Sequence, residues 1–109
     1  MCQTLRILEG FDLRKMGHLS ADYIHVLGEA LKLGLADRDY FYGDPRFVNV
    51  PMKQLLSQDY GDLRRGLIYM EKGSQEVRPG NPVAMKALAD RPGKYRPGPR
   101  GTTSCVVAD

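Results

Sequence analysis

SADYIHVLGEALKLGLADRDYF, residues 20–41, is the stretch whose reading decides the fold. Ile24, Leu27, Leu31 and Leu35 recur at i, i+3, i+7 and i+11, one face of a 3.6-residue period, and Tyr23, Val26, Ala30 and Leu33 widen that stripe. The width predicts a helix over 21–41 that is covered on most sides. Ser20 stands where an N-cap belongs, and Asp22 falls in the first turn, where the helix dipole favours an anion. Gly28 and Gly34 each cost about 1 kcal/mol relative to Ala inside a helix, so a neighbour packed closely against them is the expected compensation.

Outward from this helix the pattern stays helical as far as residue 72. Leu5 and Leu8 predict a short helix over 2–9 that stops at Gly10, with 11–19 as a connector. Gly43-Asp44-Pro45 ends the long helix, because proline disfavours helical backbone at the residue before it. Phe47 to Val50 reads as short and extended. Pro51 suits the start of a turn over 52–56. Ser57 predicts the cap of a further helix reaching Met70, with Tyr60, Leu63, Leu67 and Met70 on one face.

Residues 73–101 differ in composition. Five of these 29 residues are Gly and five are Pro. The excess charge sits here too: residues 1–72 hold ten Lys/Arg and ten Asp/Glu, whereas 73–101 hold six basic and two acidic residues. Such a segment has little apolar surface to bury against its ordering entropy, which predicts a mobile linker. Thr102 to Ala108 is β-prone and predicts a strand, and a strand without a partner predicts further chain.

One hundred and nine residues suffice for one small domain. The net charge of +3 is weak evidence for a nucleic-acid partner, and the linker cations, with Tyr95 as their one interleaved aromatic, read as solvated. No apolar run approaches a membrane span. Cys2 and Cys105 lie at opposite ends, form no CxxC pattern and are expected as free thiols, Cys105 as strand filler. No metal or cofactor is implied.

Gly101-Thr102-Thr103, between a basic linker and a strand, is the candidate for chemistry. A threonine hydroxyl becomes an effective nucleophile when the residue heads a chain and its own α-amine serves as base. That amine titrates near ~7.7–8.0, close to working pH. Producing such a terminus requires cutting between Gly101 and Thr102, and glycine offers little hindrance there. A plain turn into a strand accounts for the same residues. Among other candidates, His25 reads as a packed, hydrogen-bonded histidine and His18 as solvated. Asp37-Arg38-Asp39 reads as an arginine between carboxylates, and Asp44 as turn chemistry.

Three blocks carry a resemblance: Ile-Leu-Glu-Gly-Phe-Asp-Leu (7–13), residues 20–33, and Ala-Asp-Arg-Asp-Tyr-Phe-Tyr-Gly-Asp-Pro-Arg-Phe-Val (36–48). Val50-Pro51, Leu55-Leu56-Ser57 and Tyr60 continue them, and Thr102-Thr103 with Val107 and Asp109 follow. This order resembles the large/small subunit junction of the gamma-glutamyltranspeptidase family. The resemblance implies an α+β fold, of which this chain is a mostly α-helical part, within the four-layer αββα architecture of N-terminal nucleophile hydrolases. It implies that 1–72 close the large subunit, that 73–101 end at the self-cleavage site, and that 102–109 open the small subunit. It implies Thr102 as nucleophile, Thr103 as a supporting hydroxyl, and a γ-glutamyl amide such as glutathione as substrate, its acyl group passing to water or an amine. The remainders of both subunits are the implied partners; oxyanion and carboxylate-binding residues are expected outside this stretch, and relatives are often periplasmic or extracellular. Ser104-Cys105 departs from the bulky residue common after the threonine pair, which leaves an acylase with another amide substrate open. A non-enzymatic helical interaction module with a basic tail is the reading from another class.

Overall fold

The computed structural model describes residues 1–89. The expected strand over 102–109 and the Gly101-Thr102-Thr103 element lie outside the described residues.

Five helices form in chain order: α1 (Cys2–Leu8), α2 (Leu13–Met16), α3 (Ala21–Phe41), α4 (Met52–Leu55) and α5 (Gln58–Arg65). Their starts follow from local chemistry. The Ser20 hydroxyl accepts the Tyr23 N–H at 3.2 Å and the Ser57 hydroxyl accepts the Tyr60 N–H at 3.2 Å, so each satisfies a donor that the first turn leaves free. Asp22 and Asp59 occupy the first turns of these two helices. Asp12 caps α2 through Lys15 N–H, inside the stretch expected to be a plain connector. Helix α5 stops at Arg65, with Gly66 as its C-cap, five residues before the expected end at Met70. Tyr69 and Lys72 then pair in an isolated antiparallel bridge.

α1 lies across α3 and α5. Ile7, Leu8, Val26, Ala30 and Leu33 form the buried core, and Phe11, Leu13, Met16, Leu27, Leu67 and Ile68 pack around it. A Cβ on Gly34 would stand 2.6 Å from the Thr4 hydroxyl, so α1 and α3 approach at the contact the sequence anticipates. No described atom approaches Gly28 in the same way. The guanidinium of Arg65 closes α1, donating from Nε to Ile7 O at 2.8 Å and from Nη2 to Arg6 O at 3.2 Å. A cation on the last carbonyls of a helix is where the dipole favours one.

The buried face of α3 is not the stripe counted from Ile24. Ile24 is 55% and Leu35 46% exposed, whereas Val26, Glu29, Ala30, Leu33, Ala36 and Asp37 are buried. Two acids sit at the centre of the inner face, so a count of apolar positions drifts to its neighbour. The same happens on α5, where Leu63 is exposed and Arg64 is buried beside Tyr60 and Gly61.

Residues 73–89 make contacts that a count of their apolar residues does not anticipate. Pro82 is fully buried, Asn81 and Lys86 exchange backbone hydrogen bonds at 3.0 and 2.9 Å across a tight turn, and Ala89 N–H donates to Pro79 O at 2.9 Å. The rest of the expected linker, 90–101, lies outside the described residues.

Candidate functional site

The most organised polar feature is a buried network where α3 and α5 meet the 73–89 segment. Asp37 and Arg64 form its centre, both 0% exposed, with Arg64 Nη2 at 3.1 Å from Asp37 Oδ1. A buried carboxylate is tolerated when its lone pairs are met, and here four donors meet them. Oδ1 also accepts the Gly80 backbone N–H at 2.7 Å, while Oδ2 accepts the Tyr60 hydroxyl at 3.0 Å and the amide of Gln3. The Arg64 Nη1 and Nη2 groups also donate to carbonyls, Ala87 at 2.5 Å, Arg78 at 2.6 Å and Leu33 at 3.2 Å, while its buried Nε has no hydrogen-bond partner.

A second pair flanks the first. Glu29, buried about two turns before Asp37 in α3, accepts Arg78 Nη2 at 2.8 Å and the Ser74 N–H at 3.1 Å. Lys32 also pairs with Glu29 and donates to Ser74 O at 2.5 Å. Arg78 Nη1 reaches Leu67 O at 2.7 Å. The helical layer thus holds Ser74, Arg78, Gly80 and Ala87 by their backbone groups. Gly80 is required by this proximity, since a Cβ there would overlap the Tyr60 hydroxyl and stand 3.1 Å from Ala87 O and from Arg64 Cδ.

The electrostatics follow from burial and partner. Burial first, and then the Asp37 charge, pushes the Tyr60 phenol well above its usual range, so it stays a donor. Burial pulls the Arg64 guanidinium down, against the Asp37 charge that favours it. For Glu29 burial raises the carboxyl, but the bonds from Lys32 and Ser74 and the charges of Lys32 and Arg78 together outweigh it and leave the group below its usual value.

These groups position chain. Every acid in the network is met by N–H or O–H donors, and the guanidinium groups of Arg64 and Arg78 are directed at carbonyls and at Asp37 and Glu29. Among the described residues no group of three or more His, Cys, Asp or Glu is placed to hold a metal ion, and no helix is long and apolar enough to cross a membrane.

Gly101, Thr102, Thr103 and Cys105 lie outside the described residues. His25 is half-buried, and its Nε2 contacts Tyr69 O at 2.7 Å, the hydrogen-bonded role read from its position. His18 is exposed, its ring 5.9 Å from that of Tyr23. Arg38 pairs with Asp39 alone at 3.0 Å, because Asp37 turns inward to Arg64. Asp44 accepts the Arg46 N–H at 2.9 Å and pairs with its guanidinium at 2.7 Å, the turn role expected of it. Sequence reasoning missed Glu29, Arg64, Arg78 and Gln3. The available signal was Glu29 and Asp37 falling in helical register with Val26, Ala30 and Leu33.

Comparison with known proteins bears on the whole chain. The family model described as Gamma-glutamyltranspeptidase matches residues 1–109. The Acylase ACY 1 proenzyme of Pseudomonas sp. (strain SE83) is 49% identical over 70 residues, 64% of this chain and 12% of the relative. The Glutathione hydrolase proenzyme of Escherichia coli (strain K12) is 42% identical over 80 residues, 72% of this chain and 14% of the relative. The crystal structure of Helicobacter pylori gamma-glutamyltranspeptidase superposes with a TM-score of 0.69 at 26% identity, covering 91% of this chain and 26% of that one. The chain spans between 12 and 17% of the length of the curated relatives it matches. The helices described above are a mostly α-helical part of the α+β fold of an N-terminal nucleophile hydrolase. A match over every residue, relatives named as glutathione hydrolase and acylase proenzymes, and a shared fold lead to one conclusion: the chain belongs to the gamma-glutamyltranspeptidase family.

Proposed function

We propose that the full-length protein is a proenzyme that cuts itself between Gly101 and Thr102 and then uses Thr102 to transfer a γ-glutamyl group from a glutathione-like amide to water or an amine. The observation that carries this reading is Gly101-Thr102-Thr103 near the end of a chain matched throughout by the family model, together with relatives named as proenzymes. In this reading 1–72 belong to the large subunit, 73–101 lead to the cut, and 102–109 open the small subunit. The partners are the remainders of those two subunits.

The chemistry balances with one hydroxyl. The Thr102 oxygen attacks the Gly101 carbonyl carbon, the peptide C–N bond breaks, and an ester joins Gly101 to the threonine oxygen. Water cleaves the ester, leaving a carboxylate on Gly101 and a free amine and hydroxyl on Thr102. The same oxygen then attacks the substrate's amide carbonyl, its own amine taking the proton, and the acyl-enzyme passes to water or to an amine. The Thr103 hydroxyl supports the nucleophile. No cofactor is needed for these steps.

N-terminal sequencing of the smaller product should read Thr-Thr-Ser-Cys-Val, and Thr102→Ala should abolish both cleavage and turnover. An active mature protein left uncut at this bond overturns the proposal. A second reading, an acylase acting on another amide, is favoured by the 49% identity to an acylase and by Ser104-Cys105 after the threonine pair. Anilides of γ-glutamate and of the same acyl chain lacking the α-amino group separate the two: preference for the second chain supports the acylase.

A further inference from the structure

The clasp formed by Glu29, Asp37, Arg64 and Arg78 has no part in the chemistry proposed above, yet it is the most heavily bonded feature of the described residues. Apart from the Arg78 side chain, which pairs with Glu29 and donates to Leu67 O, its bonds to the 73–89 segment are of one kind. Asp37 takes Gly80 N–H, Arg64 takes Arg78 O and Ala87 O, and Glu29 takes Ser74 N–H. These are main-chain groups, so the clasp fixes the path of the chain whatever most of the side chains are. The path is tightened by the Asn81–Lys86 turn and the Ala89–Pro79 bond, and Gly80 sits where no side chain fits. A segment rich in Gly and Pro, with few apolar groups to bury, is thus fastened by buried charge on the opposing helices.

We propose that this clasp is a positioning device for self-cleavage, resting on the Gly101–Thr102 site proposed above. By fastening 74–89 to the helical layer it leaves only the twelve residues 90–101 between that layer and the bond to be cut. After the cut it retains 74–89 on the large subunit, so that the released tail is no longer than those twelve residues. Glu29, Asp37, Arg64 and Arg78 are positioning residues, acting on the scissile bond only through the chain they hold.

Chain length alone sets the size of the effect. The probability of bringing two ends of a chain together falls as about the three-halves power of its length. Unfastening 74–89 lengthens the span from 12 to 28 residues, which slows closure about fourfold.

The test uses the full-length protein. Gly80→Ala places a methyl group against the Tyr60 hydroxyl while changing no residue of the helical layer, and kcat/KM of the cleaved enzyme reports whether that layer still folds. Hydrogen exchange of peptides from 74–89 should show protection in wild type, both in the cleaved enzyme and in the Thr102→Ala precursor, and loss of it in Gly80→Ala. Self-cleavage of Gly80→Ala should slow about fourfold, whereas kcat/KM per cleaved enzyme should stay within twofold of wild type. A twelve-residue Gly/Ser insertion after Gly93 supplies the readout that a merely structural role would not move. It should slow cleavage about threefold in wild type and less than twofold in Gly80→Ala, where the span is already long. Unprotected 74–89 in wild type, unchanged cleavage in Gly80→Ala, or equal insertion effects in both backgrounds would each overturn the proposal. A Thr102→Ala precursor that still splits would instead overturn the cleavage site, and the exchange result on 74–89 would stand by itself.

Discussion

Asp37→Asn removes one charge from the centre of the clasp and changes almost nothing else in volume. The carboxylate accepts from four donors, and an amide offers one acceptor oxygen and one NH₂ group. The two sides of the site are not equivalent. On the Oδ1 side stand the Gly80 N–H at 2.7 Å and the Arg64 guanidinium at 3.1 Å, neither of which can accept. On the Oδ2 side stand the Tyr60 hydroxyl at 3.0 Å and the Gln3 amide, and both can reverse, the first by rotating its proton and the second by flipping. The substituted amide therefore turns its oxygen to Gly80 and its NH₂ to Tyr60, and the hydrogen bonds survive. What remains is the buried Arg64 charge without its counter-ion. Breaking a buried pair costs about 3–5 kcal/mol, and the carbonyls of Leu33, Arg78 and Ala87 around Arg64 place Asp37→Asn at the lower end, about 3 kcal/mol. Asp37→Ala loses all four acceptors as well and belongs at the upper end, about 5 kcal/mol. In exchange of the 74–89 peptides of the full-length protein, about 3 kcal/mol reads as an increase on the order of 100-fold. Combined with Arg64→Met, the loss should fall short of the sum of the single changes by at least about 1 kcal/mol, because the pair acts as a unit. Exchange in Asp37→Asn within threefold of wild type, or additive single changes, would refute the reasoning.

The remaining predictions concern the nucleophile, pH and helix packing. Thr103→Ala should still cleave but lose turnover by about 1–2 kcal/mol, one lost hydrogen bond, in kcat/KM of the cleaved enzyme, whereas Thr102→Ser should cleave more slowly and keep reduced turnover. Because the Glu29 carboxyl lies below its usual value, its contribution is complete above the unfolded value near ~4.3 and is lost as pH falls through the lower folded one. Exchange of the Ser74 to Arg78 peptides, corrected for intrinsic rate, should therefore stay flat from neutral pH to about 5 and rise only below about 4, a limb that Glu29→Gln should lack. Gly34→Ala should destabilise by about 1–3 kcal/mol in urea unfolding, since its methyl carbon would stand 2.6 Å from the Thr4 hydroxyl at the α1–α3 contact.

The sequence by itself determined where α1, α3, α4 and α5 begin. A seryl cap with an acid in the first turn is local chemistry, satisfied within four residues of chain, and Ser20 and Ser57 start α3 and α5 where they were expected. The family, too, was legible, in the ordered blocks from Ile7 to Tyr60 and the threonine pair. The tertiary structure decided which face each helix buries and what the Gly/Pro-rich segment does. Glu29, Asp37 and Arg64 stand on inner faces that apolar counting assigns to solvent, because a charged residue reads as exposed until its partner is known. Those partners come from Arg78, Gly80 and Ala87, between 14 and 49 positions away. The composition of 73–89 predicts too little apolar burial to order it, and that arithmetic is sound as far as it goes. What orders the segment is the need of buried charges on two helices for hydrogen-bond partners, and its backbone, which composition does not count, supplies them.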